Sequence, residues 1–324
     1  MNRVAFLLLS VWLSIAPAAY HGLESRAFAG TISIPFPGPG IGGGKLSCTG
    51  GTITTAGGYQ YNTFTSNGTL TCTGTGTADM LLCAGAGAGG PNTSNNSGGG
   101  GGGGDCETAA SYALSSGSIS VTIGAGGTAS SNCSTGNGAD STLGAPLSVT
   151  AKGGGCGGTR TVTPTGGSVA QGWTGGSAGG AATIYSGTIA ARSATAGSGS
   201  GFTSRVFAGG LNSDVTSGAA AGGGGAGSVG ADKTGSSNVG ANGGSGYTWL
   251  DGNCYGGGGA GGAFVSGTPG TSGCGAGAGV AGAVNGNAGT ANTGSAGSGA
   301  GGSNGGSNIG GNGGSGVFKI RYPQ

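Results

Sequence analysis

Short windows of alternating apolar and polar residues recur along this chain, and no long apolar stripe at helical spacing accompanies them. Residues 51–55, 59–64, 68–72 and 79–83 read as four short strands rich in threonine and aromatics. Ala56-Gly57-Gly58, Ser66-Asn67-Gly68 and Gly74-Thr75-Gly76 separate them. Strands and turns at that spacing predict a small antiparallel sheet. Further strands are expected at 118–123, 146–151 and 316–322. The last puts Phe318, Ile320 and Tyr322 on one face and Val317, Lys319 and Arg321 on the other. An outlying strand is expected at 31–36, where Ile32, Ile34 and Phe36 alternate before Pro37-Gly38-Pro39-Gly40. Pro35 confines that strand to a sheet edge.

Glycine tracts run between these windows. Glycine supplies 90 of 324 residues, with runs at 98–104, 222–225 and 256–259. So few side chains exclude a large apolar core, and each glycine costs roughly 0.5–1 kcal/mol more than alanine to order. The strict Gly-X-Y register of collagen is missing and proline is scarce, so a triple helix is excluded. Local triplets do occur, at Gly299, Gly302 and Gly305 and at Gly310, Gly313 and Gly316. Threefold spacing matches a polyproline-II-like helix, which has no internal hydrogen bonds. Packed side by side, such helices can pair their backbone groups with neighbours, as buried backbone requires. A disordered tract is the competing reading. The cysteines, the strand windows and a charged fraction of only 6% weigh against it. The expected fold is all-β: short antiparallel strands combined with packed polyglycine-II helices, with little or no α-helix after the leader.

Arg3, the apolar run 4–15 and the small-x-small triplets Ala16-Pro17-Ala18 and Ala27-Phe28-Ala29 read as a secretory signal peptide over 1–29. The run is shorter than the ~20 residues a membrane span needs. An N-terminal strand and Pro/Gly connector follow at 30–44, then a glycine-rich β/polyglycine-II domain at 45–324. All eight cysteines lie beyond the leader: Cys48, Cys72, Cys83, Cys106, Cys133, Cys156, Cys254 and Cys274. An even count in an exported chain predicts disulfides. Six of them cluster between 48 and 156, and Cys254 with Cys274 is a candidate local pair; connectivity stays open. The expected location is secreted, extracellular or at the cell surface.

The ordered series Gly50-Gly-Thr-Ile-Thr-Thr-Ala-Gly-Gly-Tyr-Gln-Tyr-Asn-Thr-Phe-Thr-Ser-Asn-Gly-Thr-Leu-Thr-Cys72 resembles the opening of glycine-rich domains in phage tail fibres and tail-tip adhesins. Asp79-Met-Leu-Leu-Cys83 feeding a glycine run, Val121-Thr-Ile-Gly-Ala-Gly-Gly127, 153–158 and the ending 289–323 are similar to later elements of that family. The resemblance spans 50–323. It implies polyglycine-II helices stacked in layers, with variable loops at one end contacting host receptors. Two departures, the leader and the cysteines, mark this chain as an exported, disulfide-stapled relative.

Catalytic and cofactor signals are weak. The only histidine, His21, lies in the leader, which removes a Ser-His-Asp triad and leaves no zinc spacing. The sequence Gly40-Ile-Gly-Gly-Gly-Lys45 is one residue short of a P-loop, and Leu46 stands where Ser or Thr is required. Asp105 and Glu107 are the closest acidic pair and are expected in a solvated loop after the glycine run, not as a glycosidase pair flanking a cleft. No loop has the carboxylate density of a calcium site, and no basic stripe suggests nucleic acid. Four N-x-S/T sequons, one of them at Asn132, match chance in so Asn-, Ser- and Thr-rich a chain. Trp173, Tyr247, Trp249 and Tyr255 stand out among small residues. Packing under a glycine layer is their first expected role, and stacking on a carbohydrate at a loop tip the other.

No catalytic residue, metal or cofactor is expected. The leading expectation is an exported, non-enzymatic structural or adhesion protein whose scaffold presents loops to a surface glycan or protein. Alternatives are a self-assembling filament or matrix subunit, with Ile32, Ile34 and Phe36 as an assembly strand, and an ice-binding protein.

Overall fold

The threonine-rich windows form the sheet the alternation predicts, with longer central strands. A computed structural model describes residues 44–92, 96–159, 161–162, 168–169, 171–183, 188–213, 218–303 and 305–324. The expected leader and the 31–36 strand lie outside these residues. The strands are β1 (Ser47–Thr49), β2 (Thr52–Ala56), β3 (Tyr59–Phe64), β4 (Gly68–Cys83), β5 (Cys106–Thr122), β6 (Ser141–Leu143), β7 (Val149–Ala151), β8 (Thr161–Val162), β9 (Ser168–Val169), β10 (Tyr247–Thr248), β11 (Cys254–Tyr255) and β12 (Val317–Pro323). The main sheet runs β2-β3-β12-β4-β5-β6-β7, with β1 also on β4, and its pairings are antiparallel. No α-helix occurs among the described residues.

Two expected strands, 68–72 and 79–83, are one. Residues 73–78 continue the alternation, and β5 pairs along their length with register shifts at Cys72/Thr75 and Ala78/Met80. Gly74 takes φ +72 there, and the Gly-Thr-Gly that reads as a turn is a bulge within the strand. The 118–123 window is likewise the tail of a strand that starts at Cys106. The C-terminal strand β12 pairs β3 on one edge and β4 on the other, so neither edge is open to an added strand.

Sheet alternation separates two apolar layers. One face carries Leu70, Met80, Leu82, Ile119, Val121, Phe318, Ile320 and Tyr322 in one buried cluster. The other carries Leu81, Cys83, Cys106 and Val317 with Trp249 and Tyr255. Each cysteine bonds its neighbour in sequence: Cys48–Cys72, Cys83–Cys106, Cys133–Cys156 and Cys254–Cys274. The first two join residues directly opposite each other on paired strands. Loops of this length each contribute about 3 kcal/mol by restricting the unfolded chain.

The glycine tracts are extended helices with a three-residue repeat of partners. Gly98, Gly101 and Gly104 donate to Ala300, Gly297 and Gly294. Gly99 and Gly102 donate to Gly158 and Gly155, and Gly100 and Gly103 to Ala221 and Gly224, all at 2.8–3.0 Å. The carbonyls of the same tract accept from Gly262 and Gly259, from Gly90 and Gly87, and from Gly180 and Ser177. Tract 98–104 is therefore surrounded by six others, and its backbone is satisfied without side chains. Only glycine permits this spacing: a Cβ on Gly100 would fall onto the Gly259 carbonyl oxygen. Strands and glycine helices are continuous, since 84–90 leaves β4, 98–105 enters β5 and 310–316 enters β12.

Candidate functional site

The backbone around Trp173 is fixed by this lattice. Its N–H donates to the Cys156 carbonyl at 2.8 Å, and its carbonyl accepts from Gly179 at 3.0 Å. The Cys133–Cys156 disulfide, buried against Ala88, anchors the same layer. With both backbone groups engaged, the indole stays 46% exposed. It lines a cavity of about 320 Å³ with Asn132, Thr159, Gln171, Gly172, Thr174 and Arg192. That volume is at the lower end of small-molecule sites.

Two polar atoms at this cavity lack partners. The Thr159 hydroxyl is buried without a hydrogen bond, as is the Nε of Arg192. Asn132 is partly engaged, since its carbonyl oxygen accepts from the Ser134 amide at 3.1 Å and the Ser130 hydroxyl at 3.4 Å. One aromatic side chain, two amides, two hydroxyls and a guanidinium therefore converge, and no carboxylate is among the described lining residues. An apolar plate ringed by donors and acceptors suits a ring-shaped polyol.

The other expected contact aromatics are placed differently. Trp249 and Tyr255 are both 3% exposed and pack under the sheet, which gives them the packing role and removes the surface-contact one. Trp249 meets Tyr61 edge-on at 6.3 Å. The Tyr255 hydroxyl donates to Asp251 at 2.7 Å, and Asp251 pairs with Lys319 at 2.6 Å. Burial alone would raise the Asp251 carboxyl, but hydrogen bonds from Lys319, Tyr255 and Asn253 together hold it below its ordinary value. Burial and the Asp251 carboxylate push the Tyr255 phenol well up. Tyr247 is half-buried beneath the Arg205 guanidinium, which sits 3.8 Å from its ring centre. Trp173 alone of the four is exposed, the reverse of its expected packing role.

Asp105 and Glu107 are not in a solvated loop. Both are essentially buried. Segment 197–205 covers them: the Gly197 amide, the Ser204 hydroxyl and the Arg205 amide donate to Asp105 at 2.7, 2.8 and 3.1 Å. One Glu107 oxygen is buried without a partner. Burial, with the Asp105 charge adding to it, pushes Glu107 up to about 8. Burial also raises Asp105, against the hydrogen bonds from Ser204, Gly197 and Arg205. The pair is a buried latch under a covering segment, not two carboxyls across a cleft.

The expected assembly residues Ile32, Ile34 and Phe36 fall outside the described residues. Arg192, Gln171 and Thr159 carry no pattern that marks them in sequence. Scarcity is the one signal for Arg192, which is among only ten Lys and Arg residues.

Four disulfides fit an oxidising, extracellular environment. No helix among the described residues is long and apolar enough to cross a membrane. Comparison with curated proteins found no match. The family model described as a glycine-rich domain matches residues 63–323, from β3 through the last strand. The chain belongs to the glycine-rich domain family.

Proposed function

We propose that this protein is an exported adhesion module that presents the Trp173 cavity to a carbohydrate on a cell surface. The observation that carries the reading is the 46% exposed indole on a backbone locked by the glycine lattice. Exposing a large aromatic sacrifices burial worth about 2–3 kcal/mol, and the lining amides and hydroxyls supply what a sugar ring needs. Export after loss of 1–29 and the likeness to receptor-contacting tail adhesins support the same reading. A glycan array probed with the secreted protein and with Trp173→Ala tests it. Defined spots bound by the first and lost by the second are expected; identical patterns, or no bound spot, would refute it.

The outer edge of β2 favours a second reading. β2 ends the strand order on one side, and all five of its residues are exposed. An open edge accepts an added strand, and 31–36 of a second copy is a candidate donor, giving a filament subunit. Deleting residues 30–40 separates the readings: assemblies that persist unchanged exclude strand exchange.

A further inference from the structure

Given the adhesive reading, on which this inference rests, the geometry points to a saccharide bearing a carboxylate as the ligand of the Trp173 cavity, with Arg192 as its anion-binding residue. The guanidinium lines the cavity, and its Nε is buried without a partner. Among the described residues no carboxylate pairs with it; the described ion pairs are Lys152–Asp140, Lys319–Asp251 and Arg321–Asp79.

That arrangement is unusual among the described arginines. Arg205 stacks on Tyr247 and donates to Thr108, and Arg321 pairs with Asp79 and covers Tyr59. These arginines are used by the fold, whereas Arg192 has no described partner. A buried N–H left unmade costs free energy that a bound acceptor recovers. Neutral hydroxyls would satisfy the donor. A carboxylate also answers the charge, matches the planar fork and makes a bond about twice as strong. The rest of the described lining is neutral, so none of those residues repels an anion. Trp173 supplies the stacking plate for the ring, and the buried Thr159 hydroxyl marks a second polar contact in the same cavity.

The test uses galacturonic acid oligosaccharides and the same oligosaccharides after carboxyl reduction, titrated by calorimetry against the full exported protein. The acidic form should bind roughly tenfold more tightly at low salt, with an advantage that shrinks as salt screens the pair. Arg192→Gln should bring the two forms level, while Arg192→Lys should keep part of the preference, because it retains charge without the fork. Unchanged thermal midpoints would show that either variant is folded, and the wild-type comparison decides the matter even if one is not. Equal binding of acidic and reduced forms would overturn the carboxylate assignment and leave the glycan reading intact. Tighter binding of the reduced form would do the same. Binding of neither form, together with a blank glycan array, would overturn both.

Discussion

The α-carbon of Gly100 faces the carbonyl oxygen of Gly259 so closely that no side chain fits between them. Overlap with the rigid Gly259–Ala260 backbone leaves a methyl group no way to relax. Gly100→Ala should cost about 3 kcal/mol or more. Gly273→Ala, where a Cβ meets nothing within 4 Å and φ is ordinary, should stay within about 0.5 kcal/mol of wild type. Denaturant midpoints of the two variants check the contrast, and similar values would count against a close-packed lattice.

The threefold repeat at 310–316 is visible in the sequence because geometry demands it, whereas Gly305 of the other triplet takes φ +88 and meets nothing within 4 Å. Gly310, Gly313 and Gly316 each turn the α-carbon to the same neighbour, facing the carbonyls of Gly89, Ala86 and Cys83. Which tract lies beside which is not legible, because glycine has no side chain to encode a partner. The sheet was readable wherever Thr, Ile and Phe alternate. The middle of β4 is not legible because Gly-Thr-Gly has the composition of a turn, and only pairing with β5 makes it strand. Burial of Asp105 and Glu107 was hidden for a related reason: the covering segment 197–205 is itself Gly- and Ser-rich. The Trp173 cavity draws on sequence-distant positions such as Asn132 and Arg192, so its aromatic stood out in sequence and its polar lining did not.

Stability should fall as pH rises through the neutral range. Glu107 holds its proton in the folded protein up to about 8, against an ordinary value of 4.5. Between those values the folded chain keeps a proton that the unfolded chain has lost, so raising pH favours unfolding. Asp105, also raised, acts in the same direction. Denaturant midpoints should therefore decline from about pH 5 to about pH 8 and then level off. Glu107→Gln should flatten the decline, and an unchanged slope in that variant would contradict the assignment.

At the acid end Asp251 acts in the opposite direction. Its carboxyl is held below the ordinary value of 3.8, so its contribution is full above that range and is lost as pH falls through the lower folded value. Asp251→Asn loses the charge-assisted bond to Lys319 and weakens that to Tyr255, and should cost about 2 kcal/mol at neutral pH. The measurement is urea unfolding at neutral and acid pH, and the gap between variant and wild type should narrow on acidification.

Removing the Cys133–Cys156 bridge by paired Cys→Ala substitution should lower stability by about 3 kcal/mol, from a sequence separation of 23. Because the Trp173 amide bonds to the Cys156 carbonyl, the variant should also bind glycan more weakly. Paired Cys48→Ala and Cys72→Ala changes in the sheet should cost similar stability with no loss of binding.

The most direct measurement is the indole N–H spectrum of residues 30–324, ¹⁵N-labelled, during titration with an array-positive glycan. Residues 30–324 hold two tryptophans, Trp173 at the cavity and Trp249 buried under the sheet. The Trp173 signal should move in a saturable way while the Trp249 signal holds still. A stationary Trp173 signal at saturating glycan would contradict the assignment of this cavity as the adhesive site.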